Sequence, residues 1–391
     1  MRRFKMDVVV INRSFWPIYP VIGEVLLRFC EKAASECRVG VIMQDHVGIR
    51  DKLDEAQRGK EVDFFPCKAL TSSSSGLFLR MIDTVFFMLW VVGVLLWQRP
   101  KTVYVSTDPP ILVPFIVMLY ARVFKAQFVY HLQDIHPEAT NVVVKLNSFV
   151  YGILRKLDCL TMRRADQLIT ITEQMADQIR QRSGTEAPIT VLANPAVSFD
   201  EVDFPSRKKL GFSFCGNAGR LQRIPLVIKS ITEYLNSGGT LEFVFAGSGV
   251  FAKDLKALSE KYEKVMYLGL VTPLQAAQLN ATYEWALLPI EDEVTRYAFP
   301  SKTSSYVFSG AKILAICGKK TSVADWVTDK KLGTCADPNV EAIVSVYRAI
   351  ETGQFDEAGF DMDRAELKSG LGFENFIQDL HGLMLAKGSN E

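Results

Sequence analysis

The chain has 391 residues, 48% of them hydrophobic and 23% charged, which suits two packed domains and excludes a disordered or collagen-like chain. Its 45 basic and 44 acidic side chains leave a net charge of +1, which excludes binding to nucleic acid through bulk charge. The average hides a split. Residues 1–199 carry 24 basic and 19 acidic side chains (+5), while residues 200–391 carry 21 and 25 (−4), so an anionic surface is expected to meet the first half.

Short β-branched runs alternate with helical stretches along the chain. Residues 8–11, 39–43, 102–106, 128–132, 167–171 and 190–193 read as strands, with helices over 23–34, 81–97 and 173–182 between them. Residues 1–7 run straight into the first strand, so no signal peptide is expected. The stretch 71–76 (TSSSSG) reads as a flexible loop. The run 84–97 (TVFFMLWVVGVLLW) has 14 residues without a charge, short of the ~18–20 that span a bilayer, and reads as a buried or interfacial helix. After the polar stretch 198–209 the alternation restarts, with strands at 211–215, 241–246, 265–269, 285–289 and 312–316.

Apolar strands alternating with helices mean parallel sheets covered on both faces. The expected fold is α/β, with two doubly wound Rossmann-like domains, 1–199 and 210–370, facing each other across a cleft. Residues 371–391 are expected to form a C-terminal helix returning towards the first domain. In such sheets ligands bind outside the carboxyl ends of the strands, so chemistry is sought in the loops that follow them. The seven cysteines contain no C-x-x-C pair and the four histidines are scattered, which favours reduced thiols in a cytoplasmic setting over a disulfide or zinc framework.

Three strand-to-loop segments of the second half could hold an anion. In 214–223 (FCGNAGRLQR), Gly216 and Gly219 permit close backbone approach, and Arg220 and Arg223 precede a helix N-terminus. The segment reads equally as a phosphate cradle or as a tight turn with solvated arginines. In 245–249 (FAGSG), Gly247 and Gly249 repeat the pattern on another strand. In 299–310 (FPSKTSSYVFSG), Pro300 and Ser301 open a short helix and Lys302 adds a charge at its start; an ordinary capped helix with a surface lysine is the plainer alternative.

The first half offers a loop rich in aromatics and prolines, FWPIYPVIG (15–23), better shaped for contact than for phosphate. TDPP (107–110) follows another strand. HLQDIHPE (131–138) gathers two histidines, an aspartate and a glutamate, groups that could orient a sugar hydroxyl or exchange a proton with it. A structural histidine and a helix-capping Glu138 are the alternative. Asp361-Met362-Asp363 is a D-x-D triplet in an acidic loop away from any strand end, and no metal site is expected there. Lys145, Arg155, Lys156, Arg163 and Arg164 flank the apolar 149–154, which reads as a surface for an anionic leaflet or as a solvated helix face.

Taken in order, GNAG-x-x-Q (216–222), AGSG (246–249), YLGLV (267–271), ALLPI (286–290), PSKTSSY (300–306) and LGTCADP (332–338) resemble the family 4 glycosyltransferases of GT-B fold. STDPP (106–110), QDIHPE (133–138) and RRADQLITIT (163–172) are similar to the branch that builds bacterial O-antigen, capsule and colanic-acid-type polysaccharides. The resemblance implies a retaining, metal-independent transfer without a cofactor. A sugar passes from a nucleotide-diphosphate donor, UDP-linked by preference, to a hydroxyl of a lipid-linked saccharide. The implied setting is the cytoplasmic face of the inner membrane, with the protein held peripherally.

By position, the resemblance puts Gly216, Asn217, Gly219, Arg220, Arg223, Gly247, Gly249, Leu270, Pro300, Ser301, Lys302 and Ser305 at the donor. It puts Asp134, His136 and Gln133 at the reacting sugar, and Tyr19, Gly23, Asp108 and His131 on the acceptor side. The sequence also departs from the family pattern. Tyr297 and Ser305 stand where many members carry a glutamate pair, with Glu291 and Glu293 nearby. Ile224-Pro225 replaces a lysine usual after Arg220, and Gln133 stands where relatives place a catalytic histidine. A sugar-nucleotide epimerase or hydrolase of the same fold, and a non-catalytic partner subunit, are the alternatives.

Overall fold

The computed structural model describes residues 4–19, 21–71, 77–355, 359–360 and 364–385. The D-x-D triplet, and residues 72–76 of the serine-rich loop, lie outside them. The chain divides into two compact units, Met1–Asn194 with Phe373–Glu391, and Pro195–Gly372.

The first unit is built on seven strands: β1 (Met6–Ile11), β2 (Val39–Asp45), β3 (Asp63–Lys68), β4 (Pro100–Ser106), β5 (Gln127–Leu132), β6 (Gln167–Thr170) and β7 (Ile189–Val191). They pair in the order β3-β2-β1-β4-β5-β6-β7, every pair parallel. Helices between successive strands cover the sheet, so the central strands lose their polar face; Val9, Val10 and Ile11 are all fully buried. The strand order reverses between β1 and β4. The loops after those strands therefore open a crevice at the carboxyl edge.

The second unit has six strands: β8 (Lys209–Cys215), β9 (Glu242–Ala246), β10 (Val265–Tyr267), β11 (Tyr283–Pro289), β12 (Lys312–Ile316) and β13 (Gly333–Ala336). Their order is β10-β9-β8-β11-β12-β13, again parallel throughout, with the reversal between β8 and β11.

Two strands, β3 and β13, were not expected from the sequence. Both are edge strands. The first contains Pro66, which an edge tolerates because one side of the strand needs no ladder hydrogen bonds. The second is the four-residue GTCA, whose composition carries little β signal. The polar stretch 198–209 is also no free linker. Val202 is buried with Ala277 and Ala281, and the Asp203 amide donates to Gln278 Oε1 at 2.9 Å.

The helix Phe373–Leu385 belongs to the first unit by packing. Phe376, Ile377, Leu380 and Met384 fall on one face and are buried in its core, each contributing roughly 1.5–3 kcal/mol. The long apolar run forms the helix Leu77–Gln98, 22 residues, which extends the expected element at both ends. Asp83, which immediately precedes the uncharged run, lies inside the helix and is buried. It accepts from Gln44 Nε2 at 2.8 Å, the Leu70 amide at 3.1 Å and Thr71 Oγ1 at 2.8 Å. Among the described residues no helix is long and apolar enough to cross a membrane.

Candidate active site

At the switch point of the second unit the glycines bring three loops into contact. Gly216, Gly247 and Gly249 have φ of +143°, +130° and +135°, and a Cβ on Gly247 would lie 1.9 Å from the Gly216 carbonyl oxygen. Only glycine fits there. The Gly216 amide donates to the Ala246 carbonyl at 2.9 Å, the Ala218 amide to the Ser248 carbonyl at 2.6 Å, and the Gly247 amide to the Gly269 carbonyl at 2.6 Å. Tyr267 Oη closes the ledge by donating to the Gly247 carbonyl at 2.8 Å. The amides of Gly216 and Gly247 thus join loop to loop, while Gly216 itself is exposed. Asn217 and Ser248 are exposed on the ledge, and Leu270 beyond it is 80% exposed.

The two arginines of the GNAGRLQR loop have different fates. Arg220 is exposed. Arg223 is engaged inside the protein. Its Nε donates to the Ile290 carbonyl at 2.7 Å, and its Nη2 lies 2.9 Å from Asp292 Oδ1 and 3.1 Å from Glu291 Oε2. Asp292 Oδ1 also accepts the Gly318 amide at 2.8 Å. Arg223 therefore ties the loops after β8, β11 and β12 together. This corrects its reading as a free phosphate ligand, and Glu291 is occupied by the same contact.

Lys302 begins the helix Lys302–Ser309. Its ammonium stands 3.7 Å from the centre of the Phe214 ring, a cation–π geometry. Nζ is buried without a hydrogen-bond partner among the described residues. It lies 3.3 Å from where a Cβ on Gly216 would stand. Burial pulls the amine down to about 7, the opposing influence of Cys215 being weaker. The expected helix cap is different in detail. Ser301 is exposed and makes no side-chain cap bond, while Thr303 Oγ1 donates to the Pro300 carbonyl at 2.7 Å. Ser305 and Tyr297 are half-buried, and Glu293 is exposed.

The first unit has its own constellation at the β1/β4 switch point. The Ser106 hydroxyl donates to Asn12 Oδ1, and Asn12 Nδ2 donates to the Ser14 carbonyl. Asp108 accepts the Ser14 amide at 2.7 Å and pairs with Arg13 at 3.4 Å. From the neighbouring loop, the amides of Gln133 and Asp134 reach Thr107 Oγ1 at 3.3 and 3.4 Å. Ser106 and Thr107 lie in the STDPP motif without an assigned role, whereas Asn12 and Arg13 were not singled out in the sequence. Only their place at the strand ends could have found them.

Within QDIHPE, Asp134 has 47% side-chain exposure, and His136 Nε2 lies 4.0 Å from its Oδ2. Desolvation and the charge of Asp108 push Asp134 up to about 6. His136 is pulled down to about 4 by burial and by Arg182, so it is neutral at ordinary pH. Its Nδ1 shares a 2.8 Å hydrogen bond with Thr140 Oγ1. The Gln133 side-chain nitrogen is buried with no partner among the described residues. A carboxylate near neutrality beside a neutral imidazole can orient a hydroxyl and accept its proton.

Two acceptor-side expectations are corrected. His131 is fully buried in the core, 2.6 Å from the Tyr104 hydroxyl and ring-to-ring with Phe376. Burial drives it down to about 3, so it is a neutral structural histidine. Gly23 is buried too, because a Cβ there would stand 2.5 Å from the Trp16 nitrogen; it lets its helix pack on the loop backbone. Tyr19 remains exposed. Glu138, read as a possible helix cap, is instead a buried ion-pair partner of Arg182 and Arg155.

Two doubly wound units in this order, each with polar groups gathered at its switch point, have the fold of the GT-B glycosyltransferases. Residues 22–195 match the family model described as "Glycosyl transferase 4-like domain". A curated relative, "Probable glycosyltransferase WbjE" of Pseudomonas aeruginosa, is 26% identical over 259 residues, covering 62% of this chain. The match spans 64% of that relative's length, less than two thirds. Anabaena Alr3699/HepE in complex with UDP superposes with a TM-score of 0.65 at 13% identity, over 97% of this chain and 100% of that one. WaaG, a glycosyltransferase involved in lipopolysaccharide biosynthesis, gives 0.66 at 12% identity over 97% and 99%. At these identities the superpositions show the fold.

Proposed function

We propose that the chain is a glycosyltransferase of bacterial polysaccharide or lipopolysaccharide synthesis, moving a sugar from a nucleoside-diphosphate donor to a hydroxyl of a lipid-linked saccharide. The observation that carries the reading is the buried Lys302 amine against the Gly216 loop, which has no hydrogen-bond partner among the described residues. Cleaving a glycosyl–phosphate bond builds negative charge on the leaving diphosphate, which preorganised cations stabilise most where water is excluded. Lys302 and exposed Arg220 supply that charge in place of a divalent metal, while Arg223 holds the loops that carry them. A bound UDP in HepE supports a uridine nucleotide.

The acceptor hydroxyl is oriented by Asp134 and His136, with retention of configuration. The first unit is the membrane-facing one. Ile82, Val85, Phe86, Leu89, Leu96 and Trp97 line one exposed side of the helix Leu77–Gln98. A second exposed group, Val143, Val144, Phe149, Val150 and Ile153, stands among exposed Lys145, Lys156 and Arg164. Apolar anchors with interspersed basic groups suit adsorption to an anionic leaflet, at about 1 kcal/mol per basic residue near the surface.

Calorimetry with UDP, GDP, dTDP and CMP, with Mg²⁺ and with EDTA, tests the donor half. Metal-independent binding of one nucleoside diphosphate is expected. Turnover of its sugar conjugate only when a lipid-linked acceptor is present, with the product's anomeric configuration unchanged by NMR, completes the test. Turnover without acceptor would point to the epimerase or hydrolase reading, and no nucleotide binding at all to the partner-subunit reading.

A further inference from the structure

Arg182 lies on the helix Glu173–Ser183 with a side-chain exposure of 5%. Its guanidinium reaches three oxygen acceptors at once. Nε donates to Glu138 Oε1 at 2.8 Å, Nη1 to Asp158 Oδ2 at 2.6 Å, and Nη2 to the main-chain carbonyl of His136. Asp158 is fully buried on the helix Ser148–Arg163 and accepts from the Tyr130 hydroxyl of β5 at 2.9 Å. Glu138 also pairs with Arg155 at 3.2 Å. One side chain thus joins two helices to the turn that follows β5.

Stability alone is a poor account of this arrangement. Desolvating one guanidinium and two carboxylates is expensive, and apolar residues of similar volume often serve as well or better. What apolar residues cannot do is hold a carbonyl oxygen at a fixed place. The carbonyl held is that of His136, whose ring is tied to Thr140 and faces Asp134. The planar fork of Arg suits three simultaneous acceptors, where a lysine offers a single point of charge.

We propose that Arg182 is a positioning residue of the reacting end: by holding the His136 carbonyl it sets the ring of His136 against the carboxylate of Asp134. The proposal rests on the reading that these two groups face the acceptor hydroxyl. The positive charge of Arg182 also acts on the imidazole directly, opposing its protonation.

The test compares the wild type with Arg182→Lys and Arg182→Gln by steady-state kinetics and by NMR titration of the His136 ring. Arg182→Lys is expected to lower kcat about ten- to a hundredfold with donor KM within about twofold, since misplacing reacting groups costs rate more than donor affinity. In Arg182→Gln the His136 ring is expected to protonate at a higher pH than in the wild type, because the opposing charge is gone while burial remains. Since that variant leaves Glu138 and Asp158 uncompensated, the triple variant Arg182→Gln/Glu138→Gln/Asp158→Asn is measured beside it. Wild-type kcat in folded Arg182→Lys, or an unmoved His136 titration in both glutamine variants, would overturn the proposal. Wild-type turnover in Asp134→Asn and His136→Ala would instead overturn the reading of the reacting end, and the titration, which needs no activity, would still judge Arg182.

Discussion

The ammonium of Lys302 sits 3.7 Å over the ring of Phe214, buried and without a hydrogen-bond partner among the described residues. The pair comes from distant parts of the second unit, the start of the helix Lys302–Ser309 and the end of β8. Its protonation should govern both stability and donor binding. The folded amine is pulled down to about 7 from an ordinary value of 10.5. Between those values the unfolded chain binds more protons, so the stability of the free protein rises with pH across that window. Below about pH 7 the buried charge is a full penalty. Lys302→Met is therefore expected to melt above the wild type at pH 6, with the gap closing towards pH 10.

Donor binding should show the opposite trend. An anionic diphosphate stabilises the charged amine and raises it in the complex, so affinity is highest below about pH 7 and weakens, by up to about tenfold per unit, as pH rises through the free value. Calorimetric titration of UDP-sugar across pH 6–9 measures this. A flat profile in the wild type, or an unchanged one in Lys302→Met, would remove Lys302 from the donor site.

Arg220 and Arg223 should separate cleanly. Arg220 is exposed, so Arg220→Ala is expected to weaken donor binding and turnover about tenfold or more with the melting temperature unchanged. Arg223 holds Ile290, Glu291 and Asp292, and losing charge-assisted hydrogen bonds of this kind costs ~1.5–3 kcal/mol each. Arg223→Ala should therefore lower the melting temperature as well as donor affinity. Equal thermal behaviour of the two variants would contradict the division.

Gly247→Ala is a local test of the ledge. The added methyl would meet the Gly216 carbonyl at 1.9 Å, at a φ of +130° that L side chains rarely adopt. Backbone must move, at a cost of at least ~1–3 kcal/mol. Thermal melting should report that loss, and donor binding should fall with it. Gly353→Ala, where a Cβ meets nothing within 4 Å but φ is +65°, controls for backbone strain without a clash.

Vesicle sedimentation tests the exposed stripe. The full chain is expected to pellet with anionic vesicles at low salt and to be partly released at high salt, as screening shortens the reach of its basic groups. Leu89→Glu/Trp97→Glu, which puts charge on the stripe, should cut the bound fraction severalfold while leaving donor binding intact. Binding to neutral and anionic vesicles alike would indicate that the basic residues take no part.

The amino-acid sequence by itself determined the two parallel α/β series, because fully covered strands must be apolar on both faces and their short β-branched runs are visible one by one. It also determined where loops follow strands, and so which glycines and charges could meet a ligand. Edge strands β3 and β13 escaped it, since an edge tolerates proline and glycine and needs little hydrophobic pattern. Only the tertiary structure decided the fate of individual polar side chains. Arg220 and Arg223 are three residues apart and look alike in sequence, yet one faces solvent and the other is held by Ile290, Glu291 and Asp292. His131 and His136 share a motif, but His131 lies within β5, where both faces are covered and residues 128–132 are all buried, while the following turn leaves His136 beside Asp134. Arg182 carried no signal at all, because its partners at 136, 138 and 158 become neighbours only when the helices pack. Charge and burial are properties of surroundings, and for these residues the surroundings come from distant parts of the chain.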